Sequence, residues 1–268
     1  MAMQVLAAGA YSGAVDRAPQ LSRIVLLTIT GVLLVLAVAE FLYMWPIEAR
    51  DDNIGEDYRF YVSLGQRWLD SGVLYGARQL TGEPYHVLIN VDNLYPPPAI
   101  LLFAAFVFLP WFVWFVVPVI LVACAVWRQR PAMWTWPLMA LCLLWPRTQN
   151  AFIVGNSDIW SAAFVAAGVV WAWPSVLGLF KPAFLPFALI GIRQRSWWIG
   201  LAGFGVVSLL FLPYWPEYIV AATNWDLPLT RSAANIPILL IPVVAWLGRR
   251  RSGRAPAPRE PQVRESLA

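Results

Sequence analysis

Apolar runs that are long enough to cross a lipid bilayer constrain this chain more than any other feature. Residues 24–46 form the first run, and a helix needs about 20 apolar residues to cross the hydrocarbon core. Of the 268 residues, 60% are hydrophobic and only 13% are charged, which excludes an ordinary soluble domain. We predict an all-α, polytopic transmembrane helical bundle of about six spans; the further runs are 99–127, 133–146, 152–173, 197–213 and 236–247.

One apolar stretch does not fit a simple span. Residues 174–195 read PSVLGLFKPAFLPFALIGIRQR, in which Lys181, Pro182 and Pro186 leave two halves that are each too short to cross. Non-helical backbone persists at membrane depth only beside protein or a water-filled cavity. The stretch is therefore predicted to be a broken or re-entrant segment.

Charge is distributed unevenly along the chain, and this predicts its orientation. From Glu48 to Asp92 there are eight acids against four arginines, whereas from Arg249 onward six arginines face two glutamates. Under the positive-inside rule both termini are cytoplasmic and the loop 47–97 lies outside. The basic tail is thereby explained without nucleic-acid binding. We predict one transmembrane domain, residues 1–248, in the plasma membrane, and a disordered basic cytoplasmic tail, residues 249–268.

Metal and redox chemistry find little support in the composition. His86 is the only histidine, and with Cys124 and Cys142 it cannot supply the four ligands of a zinc site. Both cysteines lie in apolar runs and are expected to be free. No cofactor is predicted, although Asp51 and Asp52 leave a divalent cation open.

Residues 57–69 are predicted to form an amphipathic helix in the first outer loop. Asp57, Tyr61, Leu64 and Trp68 share one face of it, which suits a helix lying on the membrane surface. An aspartate at this position is a good helix N-cap. It can equally accept a proton from an acceptor hydroxyl, and the spacing leaves both roles open.

The order of motifs resembles glycosyltransferase family 87, a group of GT-C membrane enzymes. The resemblance is carried by DYRFYVSLGQRWLDSGVLYG, by YPPPAILLF, by QN and GN at residues 149–150 and 155–156, and by LGLFKPAFLPF followed by RQRSWW. Together these motifs cover residues 24 to about 220. The resemblance implies an enzyme that moves a hexose or pentose from a polyprenyl-phosphate sugar donor to a lipid or glycan acceptor outside a bacterial plasma membrane.

The same resemblance implies that Asp57 is the general base. The leaving lipid phosphate then needs fixed cations, for which Lys181, Arg147 and Arg59 are the candidates. Lys181 is an isolated cation in an apolar segment, and such residues are usually functional or paired. Snorkelling of its side chain to the interface is the alternative.

Further polar residues are expected around the same outer cavity. Asn150, Asn156 and Asp158 are candidates for contacts with sugar or phosphate, although GNSD is also typical of a capped helix start. His86 is a further candidate, with a solvated loop histidine as the plainer interpretation.

Two other functions stay open. Only two predicted spans follow the Lys181 segment, so the alternative is a shortened, inactive relative that acts as a membrane scaffold or partner subunit. A small transporter with a site at Lys181 ranks last, because no matching pair of broken helices is visible.

Overall fold

The computed structural model describes residues 2–88, 91–226 and 233–249. Over these ranges the chain is helical, with isolated bridges but no strands. The helices, in chain order, are α1 (Ala2–Arg50), α2 (Glu56–Ser71), α3 (Ile100–Phe108), α4 (Trp111–Gln129), α5 (Thr135–Leu144), α6 (Pro146–Val154), α7 (Asp158–Trp171), α8 (Leu185–Ala188), α9 (Arg195–Leu210), α10 (Trp215–Asn224) and α11 (Ile236–Leu247).

Some of these helices are long and apolar enough to cross a membrane. Two qualify alone, Ser22–Arg50 within α1 and Trp111–Gln129, and up to four do so if two sharply bent helix pairs each count as one span. The stretch Ser22–Arg50 is about 44 Å long at 1.5 Å per residue, against a hydrocarbon core of about 30 Å. The count of six spans stays a prediction, since α5 and α11 are too short to cross unaided. Apart from Arg249, the predicted tail lies outside the described residues.

Helix α2 confirms the predicted helix in the outer loop, but its apolar stripe does not face lipid. Tyr61 and Leu64 are buried, and Tyr61 stacks on Phe103 of α3 with ring centroids 4.7 Å apart. Gly65 lies so close to α3 that a Cβ would come within 2.8 Å of the backbone of Ala104. The predicted membrane-surface face is therefore a helix–helix interface inside the protein.

The loop after α2 is ordered by buried amides. Gln79 donates to the carbonyl of Asn93 at 3.0 Å, and both side chains are almost fully buried. Tyr85 joins this loop to α10, because its backbone N–H donates to the carbonyl of Asn224 and its hydroxyl donates to that of Ala221. Helix α10 thus supports the loop after α2.

Prolines and glycines break the remaining predicted spans. Pro110 separates α3 from α4 within the run predicted as one kinked span, whereas Pro118 is accommodated inside α4. Helices α6 and α7 meet at 107°, and Gly155 between them has φ +74°.

The predicted broken segment is also observed. Short 3₁₀ turns at Trp173–Phe180 and Pro182–Phe184 lead into α8. Helix α7 packs against the first of these turns and against α11 at the centre of the bundle. Most of its side chains are buried. This arrangement brings the Lys181 segment beside the start of α7.

Candidate functional site

Asp57 lies in the first turn of α2, at the end where the helix dipole is positive. The turn is held by the N–H of Gly55, which donates to the carbonyl of Ile153 on α6 at 2.9 Å. Gly55 has φ +69° and occupies the N-cap position. The N-cap interpretation of Asp57 is therefore wrong, and its carboxylate accepts instead from Nδ2 of Asn156 at 2.5 Å.

A second hydrogen bond, at the side-chain oxygen, fixes the orientation of the Asn156 amide. Its Oδ1 accepts the backbone N–H of Asp158 at 3.0 Å, so its Nδ2 is directed to Asp57. The preceding turn at Gly155 is fixed by the Trp114 indole, which donates to the Gly155 carbonyl at 2.8 Å. Asn156 thus links the start of α7, where Ser157 is the N-cap residue, to the Asp57 carboxylate.

Asp158 is the most deeply buried charge of the site. Its side chain has no exposed surface, one oxygen pairs with the Lys181 ammonium, and the other accepts from Nδ2 of Asn235 at 2.5 Å. Lys181 retains 17% side-chain exposure. A buried carboxylate requires such partners, because isolated ionised groups are strongly disfavoured inside proteins. Lys181 is therefore paired with Asp158 and does not snorkel away from the site.

Three hydroxyl groups form a hydrogen-bonded chain next to this ion pair. The Tyr95 hydroxyl lies 2.6 Å from Oγ of Ser157 and 2.9 Å from the Tyr61 hydroxyl. The Lys181 ammonium lies 5.9 Å from the centroid of the Tyr95 ring. Four parts of the chain thus meet at one point: α2, the loop before α3, the start of α7 and the broken segment.

A narrow cavity lies beside Lys181. Its polar edge is formed by Lys181, Tyr95 and Ser157, and its other walls are mostly apolar and aromatic. Asp57 and Asn156 do not line it. The further lining residues are Ala99, Leu102, Phe103, Trp160, Ser161, Phe164 and Phe180.

Asp57, Asn156, Asp158 and Lys181, with the neighbouring hydroxyl groups, form the cluster. Its electrostatics favour proton acceptance by Asp57. Burial raises the pKa of Asp57 above its ordinary value, although the hydrogen bond from Asn156 and the Lys181 charge oppose the rise. Asp158 adds a second negative charge that also raises this pKa. A carboxylate whose pKa is raised accepts a proton more readily than an exposed one.

The other predicted site residues lie elsewhere. Arg59 donates to the carbonyls of Asp52 and Ile54 and is exposed, so it braces the loop before α2. Arg147 is exposed near the start of α6, and neither it nor Asn150 forms a hydrogen bond or ion pair with the cluster in the described part of the chain.

His86 is likewise separate from the cluster. Its Nδ1 lies 2.5 Å from a carboxylate oxygen of Asp226, and both side chains are exposed. The Asp226 carboxylate also accepts the N–H of Val87, and these two bonds hold the pKa of Asp226 below its ordinary value. The pair joins the loop after α2 to the chain just beyond the end of α10.

Several members of the cluster escaped sequence reasoning. No site role was predicted for Tyr95, Trp160 or Asn235. Asn235 stands immediately before the apolar run 236–247, a position typical of helix caps, and this is the only signal that marks it. Within the described ranges, no group of three or more His, Cys, Asp and Glu side chains could hold a metal ion.

Comparisons with protein-family models, with curated proteins and with solved structures found no match to this chain.

Proposed function

We propose that this protein is a membrane glycosyltransferase that moves a sugar from a polyprenyl-phosphate donor to a lipid or glycan acceptor. The observation that carries the proposal is the convergence of Asp57, Asn156 and Lys181 through Asp158. These residues belong to three separate motifs of the family resemblance, and nothing in their sequence spacing requires them to meet. A base and a phosphate-binding cation are both needed at one site by this chemistry.

In the proposed reaction Asp57 acts as the general base. An acceptor hydroxyl gives its proton to the Asp57 carboxylate while its oxygen forms a bond to the anomeric carbon. The bond from that carbon to the phosphate oxygen breaks, and polyprenyl phosphate leaves with the electron pair. Attack opposite to the leaving group inverts the anomeric configuration.

Lys181 would stabilise the leaving phosphate without giving up its pairing with Asp158. An ammonium has three donors, and in the described ranges the hydrogen bond to Asp158 uses one. The side chain is partly exposed at the edge of the cavity, so the remaining donors are within reach of a ligand. Asp158 and Asn235 hold the ammonium in place.

The proposed setting is the outer face of a bacterial plasma membrane, with both termini in the cytoplasm. Its support is the acidic loop 47–97 and the basic residues after Arg249, together with helices that are long enough to span. The partners are then the lipid-linked donor, the acceptor and membrane lipids.

The test is sugar transfer by purified protein in proteoliposomes. Radiolabelled polyprenyl-phosphate mannose or arabinose is supplied with membrane lipid acceptors, and wild type is compared with Asp57→Asn. Asn keeps the acceptor oxygen for Asn156 but cannot take a proton, so we expect at least a 100-fold loss of transfer, the scale of general-base catalysis. Asp70→Asn is the matched control, because Asp70 lies on α2 but pairs with Gln66 in solvent.

The alternative is an inactive relative that serves as a scaffold or partner subunit. It is favoured by the completeness of the cluster, since both oxygens of Asp158 already have partners within the chain. Absence of transfer from any donor by wild type would favour this alternative. Equal transfer by wild type and Asp57→Asn would remove Asp57 from the mechanism.

A further inference from the structure

The stretches WRQR and RQRSWW place arginines and tryptophans at two distant points of the sequence, residues 127–130 and 193–198. The structure brings both stretches to the end of α7. The side chain of Gln129 donates to the carbonyl of Val169 at 3.3 Å, and Oγ of Ser196 donates to the carbonyl of Trp171 at 3.2 Å. This end lies about 20 Å from Asp158 along α7, at 1.5 Å per residue, so it is separate from the cluster.

Four exposed arginine side chains at this end form neither an ion pair nor a hydrogen bond within the described ranges: Arg128, Arg130, Arg193 and Arg195. By contrast, Arg59 pairs with Asp52, and Arg78 pairs with Asp92. Like charges that are held close together repel one another, and an external anion relieves this repulsion. The four arginines therefore indicate an anionic partner.

Tryptophans accompany the arginines at the same end, and each of them is half exposed or more: Trp127, Trp171, Trp173 and Trp198. Trp127 lies in the last turn of Trp111–Gln129, one of the two helices that alone are long and apolar enough to cross a membrane. Tryptophan is enriched where a span meets water, because its ring is apolar and its N–H is polar. The anion is therefore expected at the membrane surface, which favours a lipid headgroup over a soluble anion or a nucleic acid.

The backbone at Arg130 is a second, independent observation. Arg130 has φ +45°, the left-handed region in which glycine is the usual residue. Its N–H donates to the carbonyl of Trp127 at 3.3 Å and closes α4. Glycine would close the helix there without conformational cost. The charge of Arg130 is thus carried at a position where the backbone favours a residue without a side chain.

We infer that this arginine–tryptophan surface binds the headgroup of an anionic glycerophospholipid. The lipid phosphate accepts from the guanidinium groups, each of which presents several N–H donors in a planar fork. A zwitterionic lipid offers the same phosphate, but its ammonium group meets four positive charges. The surface therefore selects anionic lipid. This inference does not depend on the proposed sugar transfer, and a protein that transfers no sugar should still select the anionic lipid.

The binding test uses purified full-length protein in detergent micelles, with bound lipid counted by native mass spectrometry. Phosphatidylglycerol and phosphatidylcholine with the same acyl chains are the two probes. A basic residue near a lipid surface contributes about a fivefold preference for anionic lipid, so we expect phosphatidylglycerol to bind at least tenfold more tightly. Equal binding of the two lipids would overturn the charge assignment. Displacement of phosphatidylglycerol by an equal concentration of inorganic phosphate would overturn the lipid assignment.

Two double variants locate the bound lipid on the two sides of the surface. Arg128→Gln/Arg130→Gln changes the end of α4, and Arg193→Gln/Arg195→Gln changes the start of α9. Each removes two charges and should weaken phosphatidylglycerol binding at least tenfold while leaving phosphatidylcholine binding unchanged. Wild-type binding of phosphatidylglycerol by both variants would refute this site.

The matched control is Arg50→Gln/Arg147→Gln, which removes the same net charge. Both residues are exposed, one at the end of α1 and the other near the start of α6. This control should bind phosphatidylglycerol like wild type. An equal loss in the control would show that binding follows the total charge of the protein, and the site would be abandoned.

Arg130→Gly separates lipid binding from folding. The change removes one charge and relieves the left-handed backbone, so it should weaken phosphatidylglycerol binding about fivefold without lowering the detergent concentration at which the protein unfolds. Unchanged lipid binding, or weaker binding together with easier unfolding, would contradict the role given to this side chain.

Discussion

Replacing Asp158 by Asn removes the negative charge that faces the Lys181 ammonium inside the bundle. The Asp158 side chain is fully buried and that of Lys181 is 17% exposed. Removal of one partner from a buried ion pair destabilises a protein by about 3–5 kcal/mol, because the remaining charge is left uncompensated. Water reaches Lys181 at the cavity edge, so we expect the lower end, about 3 kcal/mol, or roughly a 100-fold change in the unfolding equilibrium.

The converse change, Lys181→Met, leaves Asp158 buried with Asn235 as its one remaining side-chain partner among the described residues, and a similar loss of stability follows. The double variant Asp158→Asn/Lys181→Met removes both charges and should lie within about 1 kcal/mol of wild type. It should nevertheless lack transfer, since it has no ammonium for the phosphate. The two single changes are therefore far from additive in stability.

The measurement is unfolding by sodium dodecyl sulfate in mixed micelles, followed by circular dichroism. Asp52→Asn serves as the control, because the pair of Asp52 with Arg59 is solvent-exposed and is expected to contribute less than about 1 kcal/mol. If Asp158→Asn costs no more than this control, or if the double variant is the sum of the single ones, the pair is not desolvated and the reasoning fails.

Two further predictions concern α2. Gly65→Ala should destabilise the protein by about 1–3 kcal/mol, since the added Cβ meets the backbone of Ala104. The control is Gly203→Ala on α9, where the added Cβ lies in open space. In the same unfolding assay this change should be neutral or stabilising. The transfer rate should fall at acid pH as Asp57 takes up a proton, with a midpoint above the ordinary pKa range of aspartate, because burial raises the pKa of Asp57. Asn156→Ala removes a hydrogen bond that lowers this pKa, so it should move the midpoint to higher pH, and an unchanged midpoint would contradict the assignment.

Local sequence signals were sufficient for some of the individual helices. The predicted helix 57–69 is observed as Glu56–Ser71, ending at Gly72 with φ +72°, and the run 236–247 matches α11. Lys181 and its neighbouring prolines predicted the broken segment, since proline removes a donor and opposes helix continuation.

The partners of those helices could not be predicted in the same way. An apolar stripe at helical spacing suits a lipid surface and a neighbouring helix equally, so Tyr61 and Leu64 were assigned to the wrong environment. Gly65 is the one residue of this helix whose lack of a side chain indicates close helix packing. The site shows the same limit, because the pairing of Asp158 with Lys181 and Asn235 depends on the packing of α7 against the broken segment and α11.

Helix α1 differs from the rest of the bundle in how few of its described side chains are buried. Among the α1 side chains that the structure describes, only Thr30 and Ala37 are buried, and they lie seven residues apart on one face. Most other positions need only to be apolar. A saturation substitution scan of α1 should thus separate two faces of the helix. On the exposed face, Leu, Ile and Val should replace one another freely. Substitutions should be poorly tolerated only on the face that carries Thr30 and Ala37.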